Sequence, residues 1–108
     1  MKYNGVIEAK LRKIEEKLSE IESWQIDSFT TFCASSLLQN AVERALQVMI
    51  EAIIDTGEYI LALEKEPPAV SAQSVISRLK EMGKISEEKD YVYLIRFRNF
   101  LVHRYPEI

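Results

Sequence analysis

The chain has 108 residues, enough for one domain that buries about two-thirds of the surface its unfolded form would expose. Hydrophobic residues make up 47% and charged residues 29%, with three glycines and three prolines, which is too apolar for disorder and too poor in turn residues for a many-stranded β fold. A net charge of -3 excludes a wide basic face that coats nucleic acid non-specifically, so any phosphate contact has to be local.

A single cysteine, Cys33, excludes an internal disulfide and a cysteine-cluster metal site. No uninterrupted apolar run approaches the roughly 18 residues of a membrane span. The first residues carry charges and lack the apolar core of a signal peptide, so a cytoplasmic protein is expected.

In chain order, Ile7, Leu11, Ile14, Leu18 and Ile21 recur at spacings of four and three with Lys, Arg and Glu between them, the pattern of an amphipathic helix. The pattern covers barely two heptads and reads as the face of a bundle helix rather than a coiled-coil seam. A break follows at 24–31, where Asp27, Ser28 and Thr30 or Thr31 are alternative N-caps.

A long second helix is expected from about 31 to 63, a stretch with no proline and one glycine, Gly57, where it would kink. Leu37, Ala41, Ala45, Val48, Ala52 and Tyr59 form one stripe of it. Leu38, Val42, Leu46, Met49, Ile50, Ile53 and Ile54 form a second, wider than one core needs. Either the other helices of the same chain or a second subunit must cover it, and its width favours a subunit interface.

Pro67 and Pro68 break the helix. Ser71 or Ser74 then caps a short third helix that carries Val75, Ile76, Leu79 and Met82 and stops at Gly83. Ser86 followed by Glu87 and Glu88 predicts the start of a fourth, with an N-cap oxygen and two carboxylates at the positive end of its dipole. That helix runs through Tyr91, Leu94, Ile95, Arg98, Leu101 and Val102 and is ended by Pro106. An all-α, up-and-down four-helix bundle over residues 1–108 is the expected fold.

The chemistry-bearing residues crowd into Arg98-Asn99-Phe100-Leu101-Val102-His103-Arg104-Tyr105, which holds the only histidine. Asn99 and His103 are four apart and share a helix face, so the amide is placed to orient the ring. Arg98 is five residues from His103, about 140° around the helix, so the two would flank a groove that suits a phosphate. Arg holds phosphate bidentately, and His transfers protons near neutral pH, so the pair suits phosphodiester chemistry. The plainer alternatives are arginines favoured by the C-terminal dipole, a surface or hydrogen-bonded histidine, and Tyr105 as a lid over the helix end.

The stretch from Arg98 to Tyr105, followed by Pro106, resembles the R-x4-H-x-Y signature of HepT-type toxins of the HEPN superfamily. Ala41-Val42-Glu43-Arg44-Ala45-Leu46-Gln47 leading into Ile50-Glu51-Ala52-Ile53-Ile54-Asp55 is similar to that family's core helix, and the resemblance runs from about 11 to 105. It implies a HEPN-like bundle and a metal-independent RNase without cofactor, in which Arg98 and His103 of two protomers form one RNA-cleaving cleft across a homodimer interface. Because one histidine per chain cannot serve as base and acid in the same transition state, a two-fold dimer supplies the second.

Under that resemblance Arg98 clamps phosphate and stabilises transition-state charge, His103 transfers protons, and Asn99 orients His103 or the substrate. Glu51 and Asp55 are possible polar partners of the cleft, with pairing to Arg44 or another basic side chain as the alternative. The resemblance also implies a type VII toxin–antitoxin pair, in which an MntA-type minimal nucleotidyltransferase silences the toxin by AMPylation of Tyr105, and it implies neither a DNA nor a membrane partner. Relatives generally continue past the motif into a further helix, whereas this sequence ends at Ile108. The rival expectations are a non-catalytic nucleotide- or partner-binding subunit of a nucleotidyltransferase and a purely structural dimer, which would tolerate loss of Arg98 and His103.

Overall fold

The structure, a computed structural model, describes residues 5–104, with side chains as far as residue 101. Five helices occur among the described residues: α1 (Gly5–Ser23), α2 (Phe29–Ala34), α3 (Ser36–Leu63), α4 (Ala72–Glu81) and α5 (Lys89–Arg104). The all-α bundle is as expected, with one helix more than the sequence suggested. No helix among them is long and apolar enough to cross a membrane.

The extra helix arises because the stretch expected to run unbroken from about 31 is interrupted at Ser35. That residue is extended (φ -125°, ψ 108°), and it ends α2 and begins α3 at once. Its hydroxyl accepts from the Leu38 N–H at 3.1 Å, while Gln39 Nε2 donates to the Phe32 and Cys33 carbonyls at the end of α2. At the other end of α2, Ser28 is the N-cap and accepts from the Thr31 N–H at 3.1 Å.

α3 is the spine of the molecule. Its 28 residues span about 42 Å and account for most of the 47 Å long axis. α1 lies antiparallel along one flank, bridged by Lys10 Nζ to Asp55 Oδ2 at 3.9 Å. α4 and α5 pack together on the other flank, and α1 touches neither of them. This layering makes the molecule elongated, with a radius of gyration of 15.6 Å against about 13 Å for a compact chain of this length.

Burial on both flanks explains the double stripe of α3. Met49, Ile50 and Ile54 are buried and Leu38, Val42, Leu46 and Ile53 half-buried, so no residue of the second stripe is exposed. The chain's own helices thus cover Met49, Ile50 and Ile54, while Leu38, Val42, Leu46 and Ile53 keep part of their surface.

Ile50 and Ile54 pack with Ile76 of α4 and Ile95 of α5. Leu61 packs with Val75 and Leu79. Gly57 produces no break in α3 and is instead a point of close approach. A Cβ there would lie 2.6 Å from Val75 Cγ1 and 3.0 Å from Leu79 Cδ1.

The connections follow local chemistry. After α3, Glu66 N donates to Leu61 O and Lys65 N to Ala62 O, with Lys65 in the left-handed region (φ 60°), the Schellman pattern. α4 starts at the Ser71 cap and ends in the same way, with Gly83 (φ 74°) as the left-handed residue. Arg78 draws the proline turn onto α4 by donating to Pro67 O at 2.6 Å and Glu66 Oε1 at 2.8 Å.

α5 begins later than Ser86 predicted. Its first helical bond runs from Val92 N to Glu88 O, and Glu87 Oε1 accepts from Lys89 N at 3.3 Å. A carboxylate, longer in reach and favoured by the helix dipole, takes the place expected for the serine hydroxyl.

In an exposed helix Gly→Ala would stabilise by about 1 kcal/mol. At Gly57 the clash with Val75 reverses the sign: Gly57→Ala is expected to lower the unfolding free energy by about 1–2 kcal/mol in urea denaturation, and an increase would refute the close-approach role.

Candidate active site

α5 turns one face to the core and the other to solvent. Ile95 and Leu101 are 3% and 2% exposed, Tyr91 and Leu94 are half-buried, and Arg98 lies on this same inward side. A guanidinium is accommodated there because its long stem packs while the head reaches a polar edge.

At that edge Arg98 meets α3. Its Nε lies 3.3 Å from Glu51 Oε2, an ionic contact whose alignment does not complete a hydrogen bond, and the Nε is shielded from solvent. Nη1 donates to Asn99 Oδ1 at 2.8 Å. The Arg98 side chain is 23% exposed and that of Glu51 43%, so the head is held on two sides while still open to solvent. A guanidinium so held is pre-positioned for an anion, because its planar fork has little freedom left to lose on binding.

Glu51 is therefore paired with Arg98 and not with Arg44, whose Nη1 instead donates to Gln47 Oε1 at 3.5 Å. Asp55 is not brought to Arg98; it faces Lys10 of α1. Asn99 is exposed and engages Arg98. His103 is within α5, but its side chain, and Tyr105 altogether, lie outside the described residues. Since α5 is unbroken, positions 98 and 103 are separated by about 7.5 Å along its axis. Among the described residues no group of three or more His, Cys, Asp or Glu is arranged to hold a metal ion.

The opposite face of α5 lies outside the Arg98–Tyr105 motif and carries a feature of its own. Tyr93, Phe97 and Phe100 are 56%, 36% and 56% exposed and follow one another at helical spacing. The signal was present, since these three positions fall between the inward positions 91, 94, 95, 98 and 101.

The class so defined is an all-α bundle whose fifth helix carries an Arg-x4-His sequence, with the arginine steadied from the central helix. The family model described as ribonuclease HepT-like matches residues 14–108, and the chain belongs to this family of the HEPN superfamily. Comparison with curated proteins and with solved structures finds no match.

The Glu51–Arg98 pair is partly exposed, so its contribution to stability is small. Glu51→Ala is expected to lower the unfolding free energy by no more than about 1 kcal/mol in urea titration; a larger loss would make the pair a structural necessity of the α3–α5 contact.

Proposed function

We propose that the protein is a metal-independent endoribonuclease toxin acting as a homodimer, with Arg98 and His103 of both protomers in one cleft. The observation that carries this reading is the fixed Arg98 head at the α3–α5 edge in a chain of the ribonuclease HepT-like family. Glu51 and Asn99 are positioning residues for that head.

In this mechanism the ribose 2′-oxygen attacks the neighbouring phosphorus. The P–O2′ bond forms as P–O5′ breaks, one His103 takes the 2′-hydroxyl proton and the other gives a proton to the leaving 5′-oxygen. Arg98 meets the charge that grows on the non-bridging oxygens. The products are a 2′,3′-cyclic phosphate and a 5′-hydroxyl, reached without a cofactor.

Regulation follows from the same site. An MntA-type nucleotidyltransferase antitoxin transfers AMP from ATP to the Tyr105 phenol oxygen, with pyrophosphate leaving and the phenol proton lost, which adds an anion two residues beyond His103 that competes with RNA phosphate for Arg98.

Purified protein with unmodified Tyr105 is expected to cleave labelled tRNA or mRNA in excess EDTA and leave cyclic phosphate ends. Arg98→Ala and His103→Ala are each expected to slow cleavage at least ~100-fold. Absence of cleavage by a confirmed dimer would favour the non-catalytic, partner-binding subunit instead. Tyr105→Phe is expected to retain cleavage and to accept no radiolabel from ATP in the presence of the nucleotidyltransferase.

A further inference from the structure

The outward face of α5 is unusual in two independent respects. Tyr93, Phe97 and Phe100 form an exposed aromatic row, and Lys89 and Arg96 on the same helix are exposed among them. Lys89 Nζ stands 6.0 Å from the centre of the Tyr93 ring, a cation held at an aromatic face. Arg96 has no carboxylate partner among the described residues.

The second respect is charge. α5 holds Lys89, Arg96, Arg98 and Arg104 against Asp90 alone, a balance of +3 in a chain whose net charge is -3. The rest of the chain is accordingly acidic, and the positive potential is concentrated on the helix that carries the aromatic row.

Resting on the ribonuclease reading, we propose that this face is a stacking platform for single-stranded RNA, on which Tyr93, Phe97 and Phe100 receive successive bases and Lys89 and Arg96 hold the backbone. Tyr93 and Phe100 are seven residues apart, about 10 Å along the helix, the length of about three stacked nucleotides. Phe100 sits one turn before position 103, so a strand lying along the row runs toward the end of α5 that carries position 103.

The occupant is chosen by charge. A second copy seated along this row would lay two helices of balance +3 side by side, whereas a polyanion neutralises that charge. Aromatic stacking needs unpaired bases and tolerates any sequence, so the substrate is single-stranded with little sequence preference at these positions.

The test uses a fluorescein-labelled, ten-nucleotide 2′-O-methyl RNA, which cannot be cleaved by 2′-hydroxyl attack. Its binding is followed by anisotropy for the wild type, Phe97→Ala, Phe100→Ala, Phe100→Trp and Leu37→Ala, the last removing an exposed side chain outside α5. Each Phe→Ala is expected to raise Kd by roughly 5- to 150-fold. Phe100→Trp should stay within a few-fold, Leu37→Ala should be neutral, and a duplex of the same length should bind roughly tenfold more weakly than the single strand.

Sedimentation equilibrium on the same samples separates the two occupants. An unchanged oligomeric mass together with the raised Kd supports the platform. A mass that falls in Phe97→Ala or Phe100→Ala assigns the row to a subunit contact and overturns it, as does a Kd indifferent to loss of the rings. Ring-dependent binding without cleavage of unmodified RNA would remove the ribonuclease reading and leave the platform standing.

Discussion

A helix of 28 residues buried on two flanks by helices that do not meet each other is the constraint on which the rest of this structure depends. α3 has to be apolar on opposite sides, yet it has to admit a close neighbour where α4 crosses it. Gly57 meets the second demand, because only a position without Cβ accepts Val75 at that distance. The same geometry places Glu51 on the edge between the flanks, where a carboxylate stays partly hydrated and still reaches Arg98 of α5. The candidate site is thus a by-product of how the spine is shared between its two flanks.

Much of this organisation is legible in single residues whose signals are local. Ser71 caps α4 and Gly83 ends it because a hydroxyl near free N–H groups and a left-handed glycine act within one turn, whatever the tertiary setting. Ser35 and Ser86 show the limit of such signals. Ser35 sits in a run of good helix formers, and its break is held by Gln39 bonding back to α2 carbonyls, a contact that exists only once the bend has formed. At Ser86 a competing carboxylate, Glu87, is only one residue away, and it is the one that accepts from the Lys89 N–H.

The breadth of the apolar surface on α3 was legible, but what covers it was not. Periodicity records how many faces are apolar and does not say whether the second neighbour belongs to the same chain. For the site the division is similar. Arg98 stood out from the crowding of its motif, whereas its contact with Glu51 joins helices far apart in sequence and needed the fold. Asp55, one turn from Glu51, was indistinguishable from it in the sequence and proves to face α1.

Composition carried one further message that takes its meaning only from the helix boundaries. A net charge of -3 rules out a broad basic surface, but it does not distinguish an even mixture from an acidic body bearing one basic helix. Here the charge is segregated, with a balance of +3 on α5, +1 on α4 and an acidic remainder. Segregation of this kind gives a polyanion one attractive surface on an otherwise repulsive molecule, so encounter is directed to α5 rather than spread over the protein. A basic helix on an acidic body also makes binding steeply dependent on salt, since the few cations involved act close to the phosphates they neutralise. On the proposed platform, orientation of a strand is a property of the whole charge pattern, and the geometry at Arg98 decides what is done to it.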